Sequence, residues 1–249
     1  GPAAGKCNGV AIILNTWAYE CYERAGRKTW TFGENNPVQD WTNEGRWLGI
    51  DFIAVDAKNK PVHLFVVSTY APVSASPLTQ IWEWRKGIKW MNDMAAGKIL
   101  ICGGDMNAAL GIAKSKNSKT PSAVGTYGIP QRKDKSKLND AGNKLKYALI
   151  DLVNKVNLVV MSTFSEHNAK DTGGGTWTLV NKETRTHYQN DHIITQREHF
   201  NKFKYARSMS LQEAPTTGDH RAVEAEIQIA VNLKKTTKDN HKKSTTPDT

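Results

Sequence analysis

Aspartate, asparagine and histidine recur at three places where apolar runs begin or end: Asp105 with Asn107, Asp191, and Asp219 with His220. Carboxylates act as general bases and as hard oxygen ligands, amides donate hydrogen bonds to oxyanions, and imidazole exchanges protons near neutral pH. A lone aspartate after a strand more often closes a turn, because its side chain bonds nearby backbone donors. Recurrence at three junctions points instead to one shared site, since layered α/β folds hold reacting groups at strand ends, where the sheet is rigid and the loops leave room for substrate.

The elements that must hold these groups are readable from periodicity. Gly9 to Leu14 is a short apolar run that predicts a buried strand, with a loop-like stretch after it that contains Gly33 and Pro37. Leu48 to Val55 and Val62 to Tyr70 predict two more strands, turned by Asn59-Lys60-Pro61. Ser76 as N-cap and Pro77 at the first helical position open a helix on which Leu78, Ile81, Trp84, Ile88 and Met91 recur until Gly97. Lys98 to Cys102 predicts a buried strand that stops at Gly103-Gly104 and leaves Asp105 at its C-terminal end. Asn139 or Asp140 can cap a second helix with Leu145, Leu149, Leu152 and Val153 inward, followed by a strand over Leu158 to Met161. Asp191 to Thr195 is strand-like after its first residues, and Val223, Ala225, Ile227 and Ile229 alternate as in a half-buried strand.

The chain of 249 residues is long enough for one large α/β domain, and 39% hydrophobic with 23% charged residues is the composition of a soluble globular protein. No apolar run approaches the ~18 residues that cross a membrane. Cys7, Cys21 and Cys102 have no CxxC spacing and form neither a disulfide framework nor a zinc site, which implies a reducing, intracellular setting. Cys102 reads as an inert core thiol, and His63, His167, His187, His192, His199 and His241 lack the pattern of paired metal ligands. The formal charge of +10 attracts polyanions. Much of it lies in a loop from Ala113 to Lys137, with Lys114, Lys116, Lys119, Arg132 and Lys133, and in a tail over 231–249 whose composition builds no core. Residues 1–230 then form the domain.

These residues carry a family resemblance. Gly103-Gly104-Asp105-Met106-Asn107-Ala108 resembles the GDFNA motif of DNase-I-like enzymes, and Gly218-Asp219-His220-Arg221 resembles their SDH motif. Thr176-Trp177-Thr178, Gln189 to Ile194 and Ser68-Thr69-Tyr70-Ala71-Pro72 are similar to three further segments in the same order. Together they resemble the endonuclease/exonuclease/phosphatase superfamily over Gly9 to Ile229, nearest to retrotransposon-type endonuclease domains. The resemblance implies a four-layer α/β sandwich and a Mg²⁺- or Mn²⁺-dependent endonuclease that hydrolyses nucleic acid, DNA in the first instance. It implies that His220, paired with Asp191, acts at the scissile phosphate, that Asp105 orients or deprotonates the attacking water, that Asn107 and Tyr70 contact the phosphate, and that Asp219 binds the metal. Lys114, Lys116, Lys119, Arg132, Lys133 and Trp177 would contact the nucleic acid.

The same resemblance implies an N-terminal strand with an asparagine and a second with a metal-binding glutamate, and the sequence begins past both; Glu20, Glu23, Glu34 and Glu44 do not follow an apolar strand in the matching context. The expected sandwich therefore lacks its first strands and leaves sheet edges and apolar helix faces that a partner protein or an N-terminal fragment would cover. The alternative function is that of an inactive homologue serving as a nucleic-acid-binding or structural subunit of a larger ribonucleoprotein assembly.

Overall fold

The computed structural model describes residues 10–32, 46–73, 76, 78–108, 110, 123–125, 140–164, 179–181, 186–209 and 220–229. Their architecture is the mixed α/β one read from the sequence. The expected meander forms: β2 (Trp47–Val55) and β3 (Pro61–Tyr70) pair antiparallel from Trp47↔Thr69 to Val55↔Pro61. The turn between them holds because Asp56 Oδ1 accepts from the N–H groups of Lys58 and Lys60, each at 2.8 Å, while Asn59 takes the left-handed φ of 59°. A short β1 (Thr29–Thr31), not foreseen in the sequence, adds to the far edge of β2.

Helix α2 (Leu78–Met94) leads from β3 into β4 (Ile99–Asp105), which lies parallel to β3. Ile81, Trp84, Ile88 and Met91 are buried as their spacing predicts, whereas Leu78 is exposed, lying off that inner stripe. Gly97 ends the segment at φ 73°. The inner face is what holds the helix. Each buried large apolar side chain stabilises by about 1.5–3 kcal/mol, against ~0.5 kcal/mol for exposed pairs such as Lys86–Glu83 and Lys89–Asp93. Gly87 is required there, because a Cβ at that position would stand 2.3 Å from the ring of Trp47, which stacks on Trp84 at 5.3 Å.

Beyond β4 come α3 (Asp140–Lys155), β5 (Leu158–Val160) and a 3₁₀ turn over Met161–Thr163. A hairpin follows, of β6 (Leu179–Asn181) and β7 (Thr186–Tyr188), and then β8 (Asp191–Gln196) inserts between β4 and β5, antiparallel to both. The six-stranded sheet has the order β1-β2-β3-β4-β8-β5. The chain closes with a second hairpin, β9 (Phe203–Ser208) with β10 (Val223–Ile227).

Strand alternation divides the core. On one face Phe65, Val67, Leu100, Cys102, Leu158, Val160 and Ile194 pack under α2 and under Leu149 and Val153 of α3. The other face has two occupants. Ile50, Phe52, Ala54, Leu64 and Ile99 meet Cys21 of α1 (Thr16–Arg24), with Ile12 and Leu14 beside it. Val159 and Ile193 meet Phe203 and Ala206 of β9. The described chain thus covers both faces of its own central strands.

Two expectations are corrected. Within the expected strand over Gly9 to Leu14, residues 10–14 are irregular. The run ends at Asn15, whose side chain accepts from Ala18 N–H at 2.9 Å and caps α1, so these apolar groups pack as single anchors and pair with no strand. And β4 does not stop at Gly103: hydrogen-bonded neighbours on both sides carry it through Gly104 to Asp105. The basic loop, the Thr176-Trp177-Thr178 segment and the tail lie outside the described residues.

Candidate active site

Tyr70, Asp105 and Asp191 stand in one row. Tyr70 is the register partner of Asp105 across β3–β4, and Asp105 of Asp191 across β4–β8. All three alternate away from the helix-covered face. Phe65 and Val67, Leu100 and Cys102, and Ile194 point to α2 and α3, so residues at odd offsets from them emerge toward the β9–β10 layer. His220 comes from that layer, three residues before β10, and its Nδ1 lies 2.9 Å from Asp191 Oδ2. The ligating atoms of Asp105, Asp191 and His220 all lie within 4.8 Å of one another. Side-chain exposures of 39% for His220 and 16% for Asp191 place the imidazole toward solvent and the carboxylate beneath it.

The turn after β4 is fixed on three sides. Asp105 O accepts from Ala71 N–H at 2.8 Å, Met106 N–H donates to Asn190 O at 2.8 Å, and Asp105 Oδ1 accepts from Asn107 N–H at 2.8 Å. Asn107 has φ 44°, a left-handed conformation that asparagine tolerates better than most residues, and its Nδ2 donates to Ala71 O at 2.8 Å. The structure therefore shows the Asn107 amide tying the turn to the end of β3, beside the site.

Arg46 escaped the sequence reading. It precedes Trp47, opposite Tyr70, and extends the row to a fourth strand; Tyr70 N–H donates to Arg46 O at 3.0 Å, and Arg46 Nη1 donates to Tyr70 O at 3.2 Å. Its guanidinium lies 5.4 Å from the centre of the Tyr70 ring; the residue as a whole is 7% exposed, and burial lowers its pKa from the ordinary arginine value. The only signal in the sequence was an arginine directly before an apolar strand, a placement that solvated strand ends share.

His192, next to Asp191, alternates to the opposite face and is fully buried. Nε2 is 3.0 Å from Ala108 O and Nδ1 is 3.1 Å from Ser162 Oγ. Burial outweighs the Ala108 bond and the neighbouring Asp191 charge and lowers its pKa below the ordinary 6.5. Above that value both folded and unfolded chains keep this ring neutral; below it the unfolded chain binds a proton that the native one does not, so stability is lost as pH falls. Urea unfolding at about pH 7.5 and 5.5 should show an acid-side loss that is smaller in His192→Gln by about 1 kcal/mol.

Of the residues singled out in the sequence, Tyr70, Asp105, Asn107, Asp191 and His220 are brought together. Asp219, Lys114, Lys116, Lys119, Arg132, Lys133 and Trp177 lie outside the described residues. Fold and site together define the class as a mixed α/β protein with acidic and imidazole groups at the ends of its central strands.

No protein-family model matches the sequence, and no curated protein matches it. Among solved structures the chain is similar to the 3′ phosphatase NExo from Neisseria bound to a product DNA hairpin, at 13% identity and a TM-score of 0.48. It is similar also to the endonuclease domain of TRAS1, a telomere-specific non-LTR retrotransposon (15%, 0.45), and to the APE2 catalytic domain of Xenopus laevis (15%, 0.47). These alignments take in 74%, 81% and 76% of this chain, which spans 65%, 67% and 58% of the respective structures.

Proposed function

We propose that the chain is a metal-dependent phosphodiester hydrolase of the endonuclease/exonuclease/phosphatase superfamily that acts on nucleic acid, with DNA as its first substrate class. The observation that carries this reading is the row Tyr70–Asp105–Asp191 with His220 bonded to its last member at 2.9 Å. Two carboxylates so close repel each other unless positive charge lies between or beside them, and hard carboxylate oxygens suit Mg²⁺ or Mn²⁺. Asp219, adjacent to His220 in sequence, would hold the ion together with a carboxylate oxygen of Asp105. When bound, it supplies Lewis acidity and neutralises charge on the phosphate.

The remaining work falls to the chain's own side chains. Asp105 accepts the proton of the attacking water as the new P–O bond forms. Asp191 accepts a hydrogen bond from His220 Nδ1–H and holds the imidazolium, whose Nε2–H gives its proton to the leaving oxygen as the old P–O bond breaks. Tyr70 would contact the phosphate, with buried Arg46 against its ring, and the net charge of +10 favours a polymeric polyanion over a small ester.

The test is cleavage of labelled duplex and single-stranded DNA by the 249-residue chain with Mg²⁺, Mn²⁺ or EDTA, beside Asp105→Asn. Cleavage that needs the metal and drops at least about a hundredfold in Asp105→Asn is expected. Absence of cleavage by the folded wild-type chain would overturn the proposal in favour of a binding subunit.

A further inference from the structure

We propose that His192, on the face of the sheet opposite the reacting groups, is a positioning residue for the turn that carries Asp105 and Asn107; this rests on the phosphodiesterase reading above. In the β4–β8 register His192 stands across from Gly104, directly behind the Asp105–Asp191 pair. A carbonyl oxygen only accepts, so the 3.0 Å contact to Ala108 O requires the hydrogen on Nε2. With the hydrogen there, Nδ1 accepts from the Ser162 hydroxyl at 3.1 Å, and the two contacts together hold one ring orientation. Ser162 O in turn accepts from Gln189 Nε2 at 3.1 Å. Ser162, Gln189 and His192 are all buried, so a continuous polar chain runs from the 3₁₀ turn, under β8, to the residue after Asn107.

The turn needs that anchor. Asn107 occupies the left-handed region, which persists in a non-glycine residue only when its surroundings over-determine it. Before Asn107 the backbone is fixed by Met106 N–H on Asn190 O; after it, the fixed point is Ala108 O on His192. Buried Ala108 O would draw the backbone toward another donor if Nε2–H were removed. The Asp105 carboxylate is bonded to Asn107 N–H and would move with it.

Two substitutions separate anchoring from packing. The amide nitrogen of His192→Gln reaches about as far as Nε2 and can donate to Ala108 O. His192→Asn reaches only the position of Nδ1, keeping the Ser162 partner and losing Ala108. With duplex DNA and Mg²⁺, His192→Asn should lose roughly 10–100-fold in kcat with KM within about twofold, since misplacing a reacting group by ~1 Å costs on that order. His192→Gln should stay within about threefold of wild type.

Amide hydrogen exchange supplies a readout independent of cleavage. Exchange at Met106 and Asn107 should quicken in His192→Asn but not in His192→Gln, with Val67 and Leu100 unchanged in both. Retained kcat and retained protection in His192→Asn would overturn the inference, as would equal losses in both variants with faster exchange at Val67 and Leu100. If the wild-type chain cleaves nothing, the phosphodiesterase reading fails, and exchange at Met106 and Asn107 alone decides whether His192 anchors the turn.

Discussion

His220→Ala is expected to lose cleavage by roughly a hundred- to ten-thousandfold, the range that removing a general acid or base produces, while its stability falls by only about 1 kcal/mol. The two halves of that result come from different features of the same side chain. Its Nδ1 bond to Asp191 at 2.9 Å makes it the oriented partner of a carboxylate. Its side-chain exposure of 39% means that truncation removes the part-exposed hydrogen bond to Asp191 and creates no buried cavity, a cost of about 1 kcal/mol. Single-turnover cleavage of labelled duplex DNA and urea denaturation of the same preparation measure the two quantities. Cleavage within about tenfold of wild type would mean that phosphate chemistry does not pass through this imidazole. Asp191→Asn should lose less than His220→Ala, because it disturbs the orientation of a ring that is still present.

Gly104→Ala should destabilise the fold by at least about 3 kcal/mol, the sum of backbone strain and a clash that flexible atoms cannot relieve. Gly104 has φ 154°, and a Cβ there would stand 1.8 Å from Thr69 O and 2.8 Å from Thr69 C. Both atoms belong to the backbone of β3, so relief requires prising apart the β3–β4 ladder that sets Tyr70 beside Asp105. Gly103→Ala is the matched control. Its Cβ would meet only the Cδ1 end of Ile193 at 3.3 Å, which a rotamer change can accommodate. Guanidinium unfolding of the two variants should therefore separate them by at least about 2 kcal/mol; equal stabilities would show that β4 does not pass Thr69 as closely as described.

How much of this could be read in advance depended on range. Helix α2 and the β2–β3 hairpin are specified locally, by the 3.6-residue spacing of Ile81, Trp84, Ile88 and Met91 and by turn residues at Asp56 and Asn59, and both were legible. Helix α1 was not, because Trp17 and Tyr19 point outward and its single fully buried residue, Cys21, makes no stripe. The Gly9–Leu14 run has strand composition, but pairing needs a neighbouring edge, and tertiary packing of Ile12 and Leu14 decided otherwise. Gly103-Gly104 read locally as a stop, yet two flanking strands override that signal. The site residues were legible as types at strand junctions. Their meeting in one site was expected from the recurrence and the resemblance, but the registers Tyr70↔Asp105↔Asp191 that produce it are long-range and were not legible, and Arg46 enters only through them.

The same registers bear on how the molecule is assembled. Tyr70, Asp105, Asp191 and His220 come from four segments separated by most of the chain, and each junction is a non-local pairing whose loop-closure entropy is met before any contact rewards it. No short contiguous fragment contains the centre. During refolding, α2 and the β2–β3 hairpin can form from neighbours in sequence, whereas the reacting groups converge only when β8 has slotted between β4 and β5 and the final hairpin has docked. The cluster is thus expected to be the last part of the fold to assemble and the first that partial unfolding takes apart.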